Sequence, residues 1–381
     1  MRKSGVMRRS CRVFCCCMLL MFILSVTGLA QQQNSAPMKI GVVGLVHGHV
    51  HWVLNRASDG DFEIVGIAEP NRELAERYLR QYNLPMSLVY PSIEEMLEAT
   101  KPQAVTAFNT IRDHLRVVEL CAPRGIHVMV EKPLAINLEQ ALQMSRLAKE
   151  HDIHLITNYE TTWYGSHHLA KEMLLQESAT FGEIRKIVVH DGHQGPMEIG
   201  VDPEFLEWLT DPYYNGAGAL TDFGCYGANL STWFHHGEMP REVFAVTQQI
   251  KPDIYPKVDD EATIVLTYEK SQTIIQASWN WNYGRKDIEI YGQSGYLHCL
   301  NRSDMRVMRS ESEGEKKLAA SPLTAPANDP FSYFIAVIRE EIIPGPTDLG
   351  SLENNLTVMA ILQAAMDSAK QGKKIFPEQI D

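Results

Sequence analysis

The chain has 381 residues, 45% of them hydrophobic and 22% charged, with a formal net charge of -12. This is the composition of an ordinary globular protein, which excludes a disordered or collagen-like chain. The acidic balance argues against nucleic acid as a partner, since binding it needs clustered Lys and Arg.

At the N-terminus Arg2, Lys3, Arg8, Arg9 and Arg12 precede an apolar run from Val13 to Val26, and Gly28-Leu29-Ala30 then leads into "QQQNSAP". A basic region, a short apolar segment and small residues at a cleavage site define a secretory signal. Residues 1–30 are therefore read as a signal peptide and 31–37 as a linker, giving an exported, periplasmic or secreted, protein. The apolar run is shorter than the roughly 20 residues a spanning helix needs, so no membrane anchor is expected after cleavage. Cleavage removes five positive charges, taking the formal charge from -12 to -17. The remaining Cys121, Cys225 and Cys299 have neither disulfide-framework nor metal-ligand spacing.

From Met38 short apolar runs alternate with amphipathic segments. "MKIGVVGL" (38–45), "FEIVGIAE" (62–69), "SLVY" (87–90), "QAVTAFN" (103–109), "IHVMVEKP" and "IHLITN" (153–158) read as buried strands. Helical segments separate them, with Ser92 and Glu95 as a capping box and Asn137 as a further cap. This pattern predicts a parallel sheet covered on both faces, a Rossmann-type domain over 38–158, whose ligands bind beyond the carboxyl ends of the strands.

Three features fall at those ends. The turn "GLVHGHVHW" places Gly44 at the first position of G-x-G-x-x-G, but Val46 and His49 stand where the other glycines belong, and Gly48 is displaced by one residue. Glu69 closes the second strand, where an acidic residue hydrogen-bonds a ribose 2′-hydroxyl and favours NAD over NADP. Glu131-Lys132-Pro133 closes the fifth. The alternate histidines His47, His49 and His51 invite a second reading, a metallohydrolase drawing distant ligands from His190, His193, His235 and His236. No third ligand follows from the spacing, so no metal is expected. A non-catalytic binding protein on the same fold is another alternative.

"VEKPLAINLEQALQM" and, later, "GAGALTDFGCYGANLSTWF" (216–234) and "SWNWNYGRKDIEIYGQSGYL" resemble in order the passages that define the Gfo/Idh/MocA oxidoreductases. That family joins an N-terminal Rossmann domain to a C-terminal α/β domain with an open sheet, here residues 159–381. The resemblance implies tightly bound NAD, with Gly44, Val46, His47, Gly48, His49, Glu69, Phe108, Asn109, His114, Glu131, Lys132 and Asn158 as cofactor contacts. It implies catalysis by Lys132, Asp222 and Tyr226. The i, i+4 spacing of the last two predicts one shared helix face. Burial would lower the pKa of Lys132, and a lysine that of the Tyr226 phenol from about 10, making each a proton carrier.

Beyond Asn158 "EIRKIVVH", "EVFAVTQQI", "EATIVLTYEK" and "TIIQASWNW" read as successive strands without intervening helices, forming one mixed or antiparallel sheet. In the family such a sheet makes a homo-oligomer. Aromatic and polar residues in this half suit a sugar, glycoside or polyol, and Trp163, Asp191 and His193 join Lys132, Asp222 and Tyr226 as substrate candidates. Outside the cytoplasm no pool of free NAD is maintained. The cofactor would then stay bound and be recycled by a second substrate. Alternatively the chemistry would be redox-neutral, a glycosidase acting by oxidation, elimination and reduction.

Overall fold

The computed structural model describes residues 36–380 apart from Ser58; the predicted signal peptide lies outside the described residues. Strands Met38–Val43 (β1), Phe62–Ala68 (β2), Val89–Tyr90 (β3), Ala104–Ala107 (β4), His127–Glu131 (β5) and Leu155–Asn158 (β6) form one sheet in the order β3-β2-β1-β4-β5-β6. Every neighbouring pair is parallel. Helices Val50–Asn55 (α1), Arg72–Gln81 (α2), Ile93–Thr100 (α3), His114–Cys121 (α4) and Leu138–Glu150 (α5) make the connections. The continuous apolar runs are explained by burial on both faces, complete in β4 and β6. Side-chain caps set the helix starts: Asn71 accepts from Leu74 N–H, Ser92 from Glu95 N–H and Asn137 from Gln140 N–H. The strand order reverses between β1 and β4, which opens the crevice that ligands use.

The second half contains Gly165–Gln176 (α6), Lys186–Gly192 (β7), Pro203–Leu209 (α7), Gly224–Phe234 (α8), Glu242–Gln248 (β8), Glu261–Thr267 (β9), Gln272–Ser278 (β10) and Arg285–Tyr291 (β11). Tyr296–Cys299 (β12), Asp304–Met308 (β13), Glu315–Ala319 (β14), Pro330–Ile338 (α9) and Leu352–Gln371 (α10) follow. Its eight strands are ordered β14-β13-β12-β11-β7-β10-β9-β8. Only β7 and β10 pair in parallel, so the expected mixed sheet is present. One expectation is corrected: α7 and α8 intervene between β7 and β8, because β7 inserts between β11 and β10 instead of leading a meander.

The strands divide after residue 158, but the packing does not. Phe331, Phe334 and Ile335 of α9 return to pack with Ile40, Phe62, Met129 and Ile156 of the first sheet. A second core joins Val43, Val130 and Leu134 to Tyr226, Ile264, Trp279 and Leu362. Residues from 38 onward thus form one compact unit. Among the described residues no helix is long and apolar enough to cross a membrane.

Candidate active site

The site begins at the turn after β1. Gly44 has φ +75°, and a Cβ there would lie 2.8 Å from the Asn109 backbone, so no other residue fits. Four amides beyond it are engaged within the protein. Leu45 N–H donates to Glu69 Oε2 (2.9 Å), and Val46 and His47 N–H donate to the Phe108 carbonyl (3.2 and 3.0 Å). His49 N–H donates to Nδ1 of His47 (3.1 Å). Val46 thus stands at the second glycine position with its amide turned inward and lines the adjoining cleft.

Beside the turn Gly44, Val46, Glu69, Asn109, Glu94 and Arg116 help to line a cleft of about 360 Å³. Glu69 is buried, and its Oε1 accepts a second amide bond, from Asn71 (2.8 Å). Burial raises its pKa against the pull of those two bonds. A carboxylate offers about four acceptor positions, which leaves two for ribose hydroxyls. The nearby guanidinium groups are already paired, Arg116 with Glu94 and Arg72 with Glu76. Asn109 Oδ1 and His114 Nε2 are buried without partners. His114 Nδ1–H donates to the Leu134 carbonyl (3.1 Å), and burial pushes its pKa down to about 4. The Phe108 side chain lies in the core, so its part in the turn is through its carbonyl. A glycine cradle, a partly free carboxylate and unpartnered buried acceptors fit a dinucleotide.

One ring nitrogen of His47, one of His49 and one Glu131 oxygen lie within 4.8 Å of one another. The hydrogen bonds decide what this cluster can do. His49 Nδ1–H donates to Glu131 Oε2 (2.9 Å) and Asn158 Nδ2–H to Oε1 (2.8 Å), while Trp163 Nε1–H fixes Asn158 (3.0 Å). Burial opposes the Glu131 charge, but the two histidines and these bonds hold its pKa at about 2. His47 accepts at Nδ1, so its neutral ring presents Nε2–H, a donor with no lone pair for a metal. His51 points away, to the Tyr82 hydroxyl (2.8 Å) and toward Asp202 (3.7 Å). The His47–His51 pairing that i, i+4 spacing allows therefore does not form, because the helix begins only at Val50.

The chemical end of the site is assembled from both halves. Lys132, at the end of β5, donates from Nζ to Asp222 Oδ1 (2.5 Å) and to the Asp222 carbonyl (3.0 Å). Trp279 Nε1–H donates to the other carboxylate oxygen (3.0 Å). Burial opposes both charges, yet their mutual attraction holds Lys132 above the usual lysine value and Asp222 below the usual carboxylate value. The expectation that burial lowers the lysine's pKa is thus overturned by its partner.

Asp222 and Tyr226 do not share one continuous helix, contrary to the spacing argument. Asp222 ends a single turn, Phe223 breaks it with φ -110° and ψ -28°, and α8 starts at Gly224. The preceding Gly218 packs against Asp259, where a Cβ would lie 1.8 Å from the carbonyl oxygen. The Asp259 carboxylate accepts from the Gly218 and Leu220 amides (2.9 and 2.8 Å), anchoring the glycine-rich entry. Tyr226 nevertheless reaches the same place, with Lys132 Nζ 5.1 Å and Lys286 Nζ 4.4 Å from its ring centre. Burial, and then Glu160, push the Tyr226 pKa well above the usual phenol value, so the expected lowering by a lysine is not met. The phenol is held as an acid.

Lys286 and Glu160 escaped sequence reading. Lys286 lies opposite Asp191 in the β11–β7 register and forms an ion pair with Glu160, whose other oxygen accepts from the Tyr164 hydroxyl (2.7 Å). Lys286 lies within the quoted closing-strand passage without being singled out there, and the strand register and its ion pair bring the two residues in. Asp191 is buried with Oδ1 unpartnered, and burial pushes its pKa well above the usual carboxylate value. His193 Nδ1 accepts from Gly195 N–H (3.0 Å), and the ring meets Phe223 edge-on at 5.0 Å. Tyr164, His193, Tyr283, Lys286 and Asn301 help to line an open cleft of about 510 Å³. Trp163, expected at the substrate, is buried against Tyr333 and acts on Asn158.

Residues 38–159 match the model of the oxidoreductase family with an NAD-binding Rossmann fold, and 168–298 match the Gfo/Idh/MocA C-terminal domain. The chain is 26% identical over 315 residues to trans-1,2-dihydrobenzene-1,2-diol dehydrogenase of Xenopus tropicalis, covering 80% of this chain and 89% of that enzyme. Its fold is similar to that of aldose-aldose oxidoreductase from Caulobacter crescentus (TM-score 0.73, 18% identity, 89% of this chain and 99% of the other). An inositol dehydrogenase homolog from Azotobacter vinelandii, complexed with NAD+, is equally similar (TM-score 0.74, 17% identity, 90% and 98%). Two matched domain models over a fold of this topology establish that the chain belongs to the Gfo/Idh/MocA family of NAD-binding oxidoreductases.

Proposed function

We propose that this protein is an exported NAD-dependent oxidoreductase acting on a hydroxyl-bearing carbon of a sugar, glycoside or polyol, with NAD held tightly between turnovers. The observation that carries the reading is the convergence of Lys132, Asp222, Trp279 and Tyr226, with Tyr226 in turn beside Lys286 of the open cleft. NAD would be held by Gly44, Glu69 and the residues of the neighbouring cleft, and when bound it supplies the hydride acceptor and donor. NAD is favoured over NADP because Glu69 would repel a 2′-phosphate and the nearby arginines are paired.

An ammonium has three N–H groups, and Asp222 takes two of those on Lys132. The third is available to a substrate oxygen, and the charge stabilises that oxygen as negative charge develops on it. Among the described residues nothing hydrogen-bonds the Tyr226 hydroxyl, whose neutral phenol suits delivery of a proton to the same oxygen. The outer face of the eight-stranded sheet, where alternate residues of β9 and β10 stay partly exposed, is proposed as the face of a homo-oligomer.

A denaturing extract of the purified mature protein, read by absorbance and mass spectrometry, is expected to yield about one NAD(H) per chain. A nucleotide-free protein without measurable NAD affinity would overturn the reading.

Asp191 favours a second reading, redox-neutral glycoside cleavage. A buried carboxyl whose pKa burial raises, beside the cleft, is a group suited to protonating a departing aglycone. On this reading an aryl glycoside releases its phenol without added NAD and without keto-sugar, and Asp191→Asn abolishes that release. Accumulation of a keto-sugar instead would exclude it.

A further inference from the structure

The turn keeps four amide donors for itself: Leu45 for Glu69, Val46 and His47 for Phe108, and His49 for His47. Among the amides from Leu45 to His49 only that of Gly48 is left without a partner, so a dinucleotide arriving here finds a single backbone donor in this stretch. His47 is buried, its ring held between His49 (centroids 4.7 Å apart), Phe205 (4.9 Å) and Trp208 (5.8 Å). Trp208 Nε1–H is itself tied to the Val46 carbonyl (3.2 Å), so the wedge is anchored to the turn. Nδ1 accepts the His49 amide, which places the proton of the neutral imidazole on Nε2. That Nε2–H is buried without an acceptor. A buried donor left unpaired is unfavourable, so this N–H is available to an oxygen brought to it.

Resting on the cofactor reading above, we infer that His47 replaces the missing glycine amides of the turn as a hydrogen-bond donor to an oxygen of the dinucleotide. The imidazole extends the His49 N–H outward: it accepts the amide on one side and offers its own N–H on the other. The acceptor is a pyrophosphate or carboxamide oxygen, and the two sources are separable because ADP-ribose carries only the first.

The experiment compares dissociation constants of NAD+ and ADP-ribose, by calorimetry on the nucleotide-free full chain, for the wild type, His47→Phe and His47→Gln. Phenylalanine keeps an aromatic wedge without the donor, while glutamine keeps a donor near the Nε2 position. His47→Phe is expected to weaken NAD+ by about tenfold, the equivalent of one hydrogen bond, and His47→Gln to stay within about threefold of the wild type. Equal weakening of ADP-ribose assigns the bond to pyrophosphate; unchanged ADP-ribose assigns it to the carboxamide. A His47→Phe variant with wild-type affinity for NAD+ would overturn the inference. So would a His47→Gln variant as weak as His47→Phe, since the ring's packing would then be what matters. A wild type that binds neither nucleotide would instead refute the cofactor reading, and this inference with it.

Discussion

At the scale of single residues, the site divides into groups that carry a sequence signal and groups that do not. Lys132 sits in a motif at a strand end, and Asp222 and Tyr226 follow a glycine-rich entry, so all three could be read before any coordinates. Lys286 lies in a plain polar strand and reaches the site only because it pairs with Asp191 across the sheet. Its partner Glu160 is 126 residues away in sequence. Between them these two set the electrostatics that the Tyr226 phenol meets: Lys286 stands 4.4 Å from the ring, and Glu160 is held at about 2 although burial opposes its charge. Lys286→Met should therefore act on chemistry and leave the cofactor alone. The expected result is an unchanged NAD content with kcat/KM lowered about a hundredfold, the low end of what removing a positioned electrostatic stabiliser costs. A variant with normal kcat/KM would show that Lys286 serves only its ion pair with Glu160. Trp163 is the converse case. Its residue type suggested a sugar platform, but burial and the bond to Asn158 make it a brace for Glu131.

At the scale of elements, the alternation of strand and helix was legible because both sheet faces are covered, which demands apolar runs broken by amphipathic ones. The break at Phe223 was not, since residue spacing alone does not show where one turn ends and the next helix begins. The role of α7 was equally hidden, because it depends on contacts with residues far away in the chain. Glu204 of α7 takes the Tyr78 hydroxyl (2.7 Å) and pairs with Arg77, Asp202 meets Tyr78 (3.2 Å), and Trp208 binds the Val46 carbonyl. These bonds strap α7 across the end of α2 and the turn after β1, where the dinucleotide would lie. An exposed ion pair contributes little by itself, and Arg77 is half exposed, so the tyrosine bond carries most of the effect. Glu204→Ala is accordingly expected to speed NAD release by roughly fivefold, about 1 kcal/mol of lost hydrogen bonding. Stopped-flow displacement would measure it; an unaltered release rate would mean that the strap does not gate the cofactor.

At the scale of the whole molecule, the sequence has 14 histidines, and only burial distinguishes those that answer to pH in the ordinary range. His47, His114 and His167 are fully enclosed, and burial lowers all three, His114 to about 4 and His167 to about 3. In the unfolded chain each takes up a proton near 6.5, whereas in the folded chain it stays neutral to lower pH. The unfolded state therefore binds more protons as pH falls below 6.5, and stability is lost over that interval. For His114 alone the difference amounts to about 3 kcal/mol. Glu131 and Glu160, held at about 2, add a second loss as pH falls below their unfolded value of 4.5. Asp191 runs the other way: its raised pKa makes the folded state bind the extra proton, so it favours folding as pH falls toward 3.8. Glu69 and Asp259, which burial also raises, act in the same sense, against nine imidazoles that burial lowers. The Lys132–Asp222 pair stays intact throughout, since its lysine contribution is lost only above the unfolded value of 10.5 and its aspartate contribution only below 3.8. The melting temperature should thus be level between about pH 7 and 8, fall from about pH 6.5, and fall further below 4.5. His167→Gln should reduce the first slope without touching the second, because it removes one of the protons taken up on unfolding. A melting temperature that stays constant between pH 7 and pH 5 would mean that these histidines titrate in the folded state and are not enclosed in solution.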